Sequence, residues 1–119
     1  MTRRAPAIGA PPRLQPVEVR THRLANGLLV AVVERPELPI VDVEILVRAG
    51  AAMDGAGRPG RAALVAEMLD EGTSTRDLLQ IADELDYLGA HLNFTAGWDT
   101  TVVSLHVLSV RFYQPLDVG

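Results

Sequence analysis

Gly89-Ala90-His91-Leu92-Asn93-Phe94-Thr95-Ala96, then Gly97-Trp98-Asp99, then Thr100-Thr101-Val102-Val103-Ser104-Leu105-His106-Val107-Leu108 is the stretch that decides the fold. Apolar and polar residues alternate on both sides of a short break, the period of a strand buried on one face only. The two runs therefore read as antiparallel strands, Ala90–Ala96 and Thr100–Leu108, of one hairpin. With the turn centred on Gly97-Trp98, Thr95 lies opposite Thr100, Asn93 opposite Val102 and His91 opposite Ser104. Leu92, Phe94, Thr101, Val103, Leu105 and Val107 then share the buried face. His91, Asn93, Thr95, Ser104 and His106 share the other, the most ligand-like surface the sequence offers. A slip of one residue would bury the polar set, so the pattern specifies the register.

Upstream of this hairpin the period changes to that of helices. Leu78, Ile81, Ala82, Leu85 and Leu88 form an apolar stripe, with Ser74 and Asp77 as a capping start and Gly89 as the stop. Before it, Leu64, Val65, Met68 and Leu69 predict a helix over Arg61–Glu71, which Gly72 is placed to end. Gly50, Gly55, Gly57 and Gly60 mark the segment from Ala49 to Gly60 as a loop.

Earlier still, Val41, Val43, Ile45 and Val47 alternate with Asp42, Glu44 and Arg48, predicting a half-buried strand after a loop carrying Pro36 and Pro39. Val17 to Leu24 and Leu28 to Val33 flank Ala25-Asn26-Gly27, and Asn-Gly between two strand-forming runs signals a hairpin turn with positive φ. Residues 1–16 hold Pro6, Pro11, Pro12, Pro16 and Gly9, so they read as a flexible lead-in, with residues 17–119 as the ordered part. Val110 to Gly119 begins like a third helix. The order β-β-β-α-α-β-β predicts an α+β fold: an antiparallel or mixed sheet with helices on one face, and an incomplete lobe.

Composition bounds the function. In 119 residues there are 11 basic and 15 acidic side chains and no cysteine. That excludes a disulfide framework, a thiolate metal site and a thiol nucleophile. Five arginines in residues 1–23 (Arg3, Arg4, Arg13, Arg20, Arg23) stand against Glu18, so the remainder of the chain is strongly acidic. Net acidity argues against a nucleic-acid partner. The apolar runs are far shorter than the roughly 20 residues of a membrane span, and the first residues lack the apolar core of a secretory signal. The default expectation is a soluble, cytoplasmic protein.

Several side chains invite a chemical reading, each beside a plainer one. Glu67, Asp70 and Glu71 have the spacing to share a cation on a helix, but such a trio is ordinarily a solvated face. His91 and His106 fall at diagonal positions, about 7–8 Å apart between Cα atoms, and two imidazoles without a third ligand read as partly exposed histidines rather than a metal site. His22, between Arg20 and Arg23, reads as surface. Ser104 beside His106 has no acidic group in sequence to orient the imidazole, which argues against a nucleophile. The glycine loop is no phosphate cradle, since the chain has no lysine. Trp98 reads as folded over the sheet edge, with a partner anchor as the alternative.

Leu24-Ala25-Asn26-Gly27-Leu28, Val47-Arg48-Ala49-Gly50-Ala51, Gly60-Arg61-Ala62 and Met68-Leu69-Asp70-Glu71-Gly72-Thr73, followed by Gly89-Ala90-His91-Leu92-Asn93, occur in an order and spacing that resembles the N-terminal lobe of insulinase/pitrilysin-type (inverzincin) zinc peptidases. The resemblance runs from about Val17 to Val118. In active members of that family the first helix carries H-x-x-E-H, two imidazoles that hold zinc and a glutamate that activates water. The resemblance puts those three positions at Ala63, Ala66 and Glu67. It therefore implies no metal, no cofactor and no catalytic residue in this chain, with zinc expected in an active partner. A further glutamate ligand of the family falls beyond residue 119.

What the resemblance implies is a non-catalytic homologue that pairs, as a heterodimer or a second lobe, with an active zinc-bearing peptidase lobe or subunit and helps enclose an extended peptide substrate. Asn93, Phe94 and Thr95 would meet that peptide; Asn93 matches the family, while Phe94 replaces a small residue and Ala96 a threonine. The alternatives are a residual zinc-dependent endopeptidase, rebuilt around Glu67 with His91 and His106, and a purely structural subunit of a larger assembly.

Overall fold

The computed structural model of the chain describes Gly9 and residues 16–117. The lead-in expected over residues 1–16 thus lies outside the described residues apart from Gly9 and Pro16, as do the last two positions of the C-terminal segment. The described chain divides into two compact units, one ending at Pro36 and the other beginning at Glu37. Among the described residues no helix is long and apolar enough to cross a membrane.

The first unit is a hairpin of β1 (Arg20–Arg23) and β2 (Leu29–Val32), paired antiparallel with Arg23 opposite Leu29. Its turn is the expected Ala25-Asn26-Gly27, closed by the Leu24 amide donating to the Leu28 carbonyl at 2.9 Å. Only Gly27 takes positive φ, at 90°, while the Asn26 side chain accepts from the Leu28 amide at 3.1 Å. This is the three-residue loop with a left-handed glycine, rather than a two-residue turn with both residues at positive φ. Arg20 on β1 bridges Glu34, two residues beyond β2, at 3.0 Å, both side chains exposed.

The second unit carries the α+β layer. β3 (Ile40–Val47), β4 (His91–Ala96) and β5 (Thr101–Leu108) form a three-stranded sheet in the order β3-β5-β4, every pairing antiparallel. Leu88, Ala90, Leu105 and Val107 are buried together, and Val43, Leu85, Leu92 and Phe112 pack against them. Those residues place α2 (Leu78–Leu88) on the face of the sheet that bears Val43, Leu92, Leu105 and Val107. α1 (Arg61–Met68) covers the same face, nearest β4.

In the first unit β1 starts at Arg20 rather than Val17; in the second, three boundaries differ from expectation, each for a local reason. α1 ends at Met68, three residues before the expected end, so Asp70 and Glu71 are not on the helix and the Glu67 spacing does not make a helical trio. α2 is capped by Asp77, not Ser74: the Asp77 carboxylate accepts from the Gln80 amide at 2.9 Å, and the Gln80 side chain accepts from the Asp77 amide at 3.0 Å. That reciprocal capping box satisfies two amides at once, which Ser74 is too far upstream to do. The expected third helix is instead two 3-10 turns, Ser109–Arg111 and Pro115–Asp117. Gly89 ends α2 as expected, in the left-handed conformation with φ 62°.

The hairpin faces are those the alternation predicts, but the register is displaced by two residues. His91 stands opposite His106, Asn93 opposite Ser104 and Thr95 opposite Val102. A shift of two keeps every side chain on its face, so the hydrophobic pattern cannot resist it. What selects it is the loop Gly97–Thr100. The carbonyls of Gly97 and Trp98 accept from the amides of Ala51 and Ala52 at 3.0 and 2.9 Å, tying the loop to the 3-10 turn Ala51–Met53. Gly50 makes that approach possible, since a Cβ there would lie 2.4 Å from the Trp98 carbonyl oxygen. Trp98 itself is 72% exposed and does not fold over the sheet.

Candidate functional site

α1 is built from its N-terminus by a residue far from it in local sequence. Gly60 precedes the helix in the left-handed conformation, with φ 88°, and carries no side chain to cap it. Asp54 supplies the cap: its carboxylate accepts from the Gly60 amide at 2.7 Å and from the Ala62 amide at 2.8 Å. The negative charge also sits at the positive end of the helix dipole. Asp54 is buried, and both its oxygens are used.

On this helix Ala63 and Glu67 are exposed, one turn apart, while Ala66 is only 3% exposed and faces inward. Beside Ala66 and Ala62 opens a cavity of about 270 Å³, walled by Val47, Val65, Leu69 and Val103. Two methyl groups and a single carboxylate do not fit a zinc ion, since Ala63 and Ala66 carry no nitrogen, sulfur or oxygen donor and Glu67 alone does not hold it. Nor do the histidines rebuild one there: His91 and His106 lie on the sheet face opposite the two helices.

β4 is an edge strand, paired with β5 on one side only among the described residues. Asn93 and Thr95 lie exposed on its wet face, the Asn93 amide donating to the Thr95 hydroxyl at 2.9 Å, and Phe94 is half-buried on the other. The structure thus brings Asn93 and Thr95 together and turns Phe94 away from them. One observation was invisible locally. Asp42 stands opposite His106, with 2.5 Å between the carboxylate and Nδ1, so the acidic group thought missing beside His106 is supplied by β3. The link spans 64 residues, and only the β3–β5 register reveals it.

The sequence pattern of the family described as "Insulinase (Peptidase family M16)" matches residues 29–118. The chain belongs to the insulinase family. Among solved structures, this M16 chain is similar to the peptidase M16 inactive domain from Pseudomonas fluorescens, with a TM-score of 0.79 and 38% identity over 86% of this chain and 25% of that one. A protease from Helicobacter pylori shares the fold, with a TM-score of 0.74 at 18% identity, covering 86% of this chain and 24% of that one. By sequence the chain is 33% identical over 96 residues to an uncharacterized zinc protease of Rickettsia bellii (strain RML369-C), 81% of this chain and 23% of that protein. It is 29% identical over 101 residues to the probable mitochondrial-processing peptidase subunit beta of Arabidopsis thaliana, 85% of this chain and 19% of that protein. This M16 chain therefore spans about a quarter or less of the length of the relatives it matches.

Proposed function

We propose that this chain is a non-catalytic insulinase-type homologue that pairs with an active, zinc-bearing lobe or subunit and helps enclose and bind a peptide substrate. The observation that carries the reading is α1: a capped helix within the residues that match the family, on which the sequence resemblance sets Ala63, Ala66 and Glu67 at the H-x-x-E-H positions. Neither alanine offers a donor or a general base, so the shape of the lobe is retained without the means to activate water. Two similarities support it. A relative of known structure is described as an inactive M16 domain, and two matched relatives are named as subunits of the mitochondrial-processing peptidase.

In this reading residues 17–119 are the first part of an N-terminal lobe and zinc belongs to the partner. The peptide adds as a strand along the free edge of β4, where backbone groups supply the hydrogen bonds and Asn93, Phe94 and Thr95 meet its side chains. The matched relatives include a protein of Rickettsia bellii and a mitochondrial peptidase subunit, so the reading is tied to no one compartment.

The test is co-expression with an M16 protein of the same genome that carries an intact H-x-x-E-H. The expected result is a stable complex that cleaves extended peptides faster than the partner alone. No complex at micromolar concentration, or an unchanged cleavage rate, overturns the proposal. Cleavage by this chain alone would return the residual endopeptidase, and a complex whose affinity ignores peptide would return the structural subunit.

A further inference from the structure

The helix-free face of the sheet holds a second group of chemistry-bearing side chains, independent of α1. Asp42 on β3, His106 on β5 and His91 on β4 stand in one row across the three strands, each directly opposite the next. All three are exposed to solvent. Their arrangement differs from the diagonal placement that local sequence suggests, because the register displaced by two residues sets the imidazoles side by side. The ring centroids are 6.4 Å apart and the planes tilted by 35°.

The carboxylate beside His106 decides what that ring can do. In the tautomer that donates from Nδ1 to the Asp42 carboxylate, the lone pair of the His106 ring is on Nε2. A carboxylate that fixes the tautomer in this way is the usual support of a metal-ligating histidine. β5 is the central strand, paired on both edges, so the backbone beneath His106 is held in place. With a metal–nitrogen bond of about 2.0–2.1 Å, each centroid lies roughly 3 Å from a shared ion. The two rings then need to close by about 1 Å for a tetrahedral angle, which small rotations of exposed side chains supply.

We propose that His91 and His106 form a two-imidazole site for a borderline divalent transition metal such as Zn²⁺ or Cu²⁺, with Asp42 as the positioning residue of His106. Among the described residues no three His, Cys, Asp or Glu side chains are grouped to hold a metal, so the proposed site has two protein ligands and its binding is reversible. The site lies on the sheet face away from Ala63, Ala66 and Glu67, and it neither needs nor supplies the peptidase chemistry.

The experiment titrates the purified full chain with Zn²⁺ and with Cu²⁺, following heat and the imidazole resonances. The expected result is one equivalent of each bound at micromolar concentration, Cu²⁺ more tightly, with both His91 and His106 resonances broadened by Cu²⁺. His91→Asn and His106→Asn should each weaken binding by at least about tenfold, and Asp42→Asn by about tenfold while both rings still respond. Glu67→Gln should leave the affinity unchanged, and circular dichroism should find each variant folded, since every altered side chain is exposed. Binding no tighter than millimolar, binding that survives the His91→Asn/His106→Asn double variant, or broadening of one ring alone overturns the proposal.

Discussion

Asp54 shows how much one side chain can carry when a helix begins with glycine. The first amides of α1 have no partner within the helix, and Gly60 offers them none. Both Asp54 oxygens are committed to that end, within a part-buried site, so the carboxylate replaces water that cannot reach those amides freely. Asp54→Ala should therefore destabilise the chain by about 1–2 kcal/mol, the upper range for losing a cap, read as a lowered midpoint in urea. Asp54→Asn, which keeps one acceptor oxygen and turns a donor toward the other amide, should fall between the two. A variant as stable as the parent would mean that α1 does not depend on this cap. No local pattern reveals the role, because the capping residue precedes the helix by an excursion through Gly55 and Gly57, both at positive φ.

At the scale of elements, α2 allows a sharper comparison, because sequence offers two caps and the structure uses one. Asp77→Ala removes the carboxylate half of the capping box, leaving the backbone amide at 77 to donate to Gln80, and should cost about 1 kcal/mol, whereas Ser74→Ala should be silent within about 0.5 kcal/mol in the same thermal melts. Equal effects would contradict the assigned start of the helix. The stripe Leu78, Ile81, Ala82, Leu85 and Leu88 was legible in part, because a 3.6-residue period is a property of adjacent residues: Ile81 and Leu88 are buried and Leu85 half-buried, while Leu78 and Ala82 stay exposed. The faces of β4 and β5 were legible for the same reason with a period of two. Their register was not, since displacement by two residues leaves the pattern intact and the deciding hydrogen bonds come from Ala51 and Ala52, some 45 residues away in sequence. The pairing of Asp42 with His106 escaped for the same reason, and with it the row on which the proposed metal site depends. By contrast the missing donor atoms of Ala63 and Ala66 are a fact of composition, while their placement at the H-x-x-E-H positions rests on the resemblance.

For the whole molecule the decisive quantity is how little of the apolar surface is enclosed. Leu88, Ala90, Leu105 and Val107 make the buried cluster, and Val107 is its fully enclosed member. Over the same face, toward α1, Val47, Val65 and Leu69 remain exposed around the cavity. Stability in the second unit should accordingly be polarised, high at the α2 end of the sheet and low at the α1 end. Leu105→Ala empties the centre of the buried cluster and should cost about 2–5 kcal/mol, a large part of the 5–15 kcal/mol typical of a domain, so most of the cooperative transition should be lost. Val65→Ala removes a similar apolar surface from a side chain that is already half in solvent, and should change the urea midpoint by no more than about 0.5 kcal/mol equivalent. Hydrogen exchange should follow the same gradient, with amides of β5 near Leu105 and Val107 protected longest and those of α1 exchanging early. If Val65→Ala proved as costly as Leu105→Ala, the α1 face would have to be packed in the isolated chain, and the division between an enclosed and an open half of the sheet would be wrong.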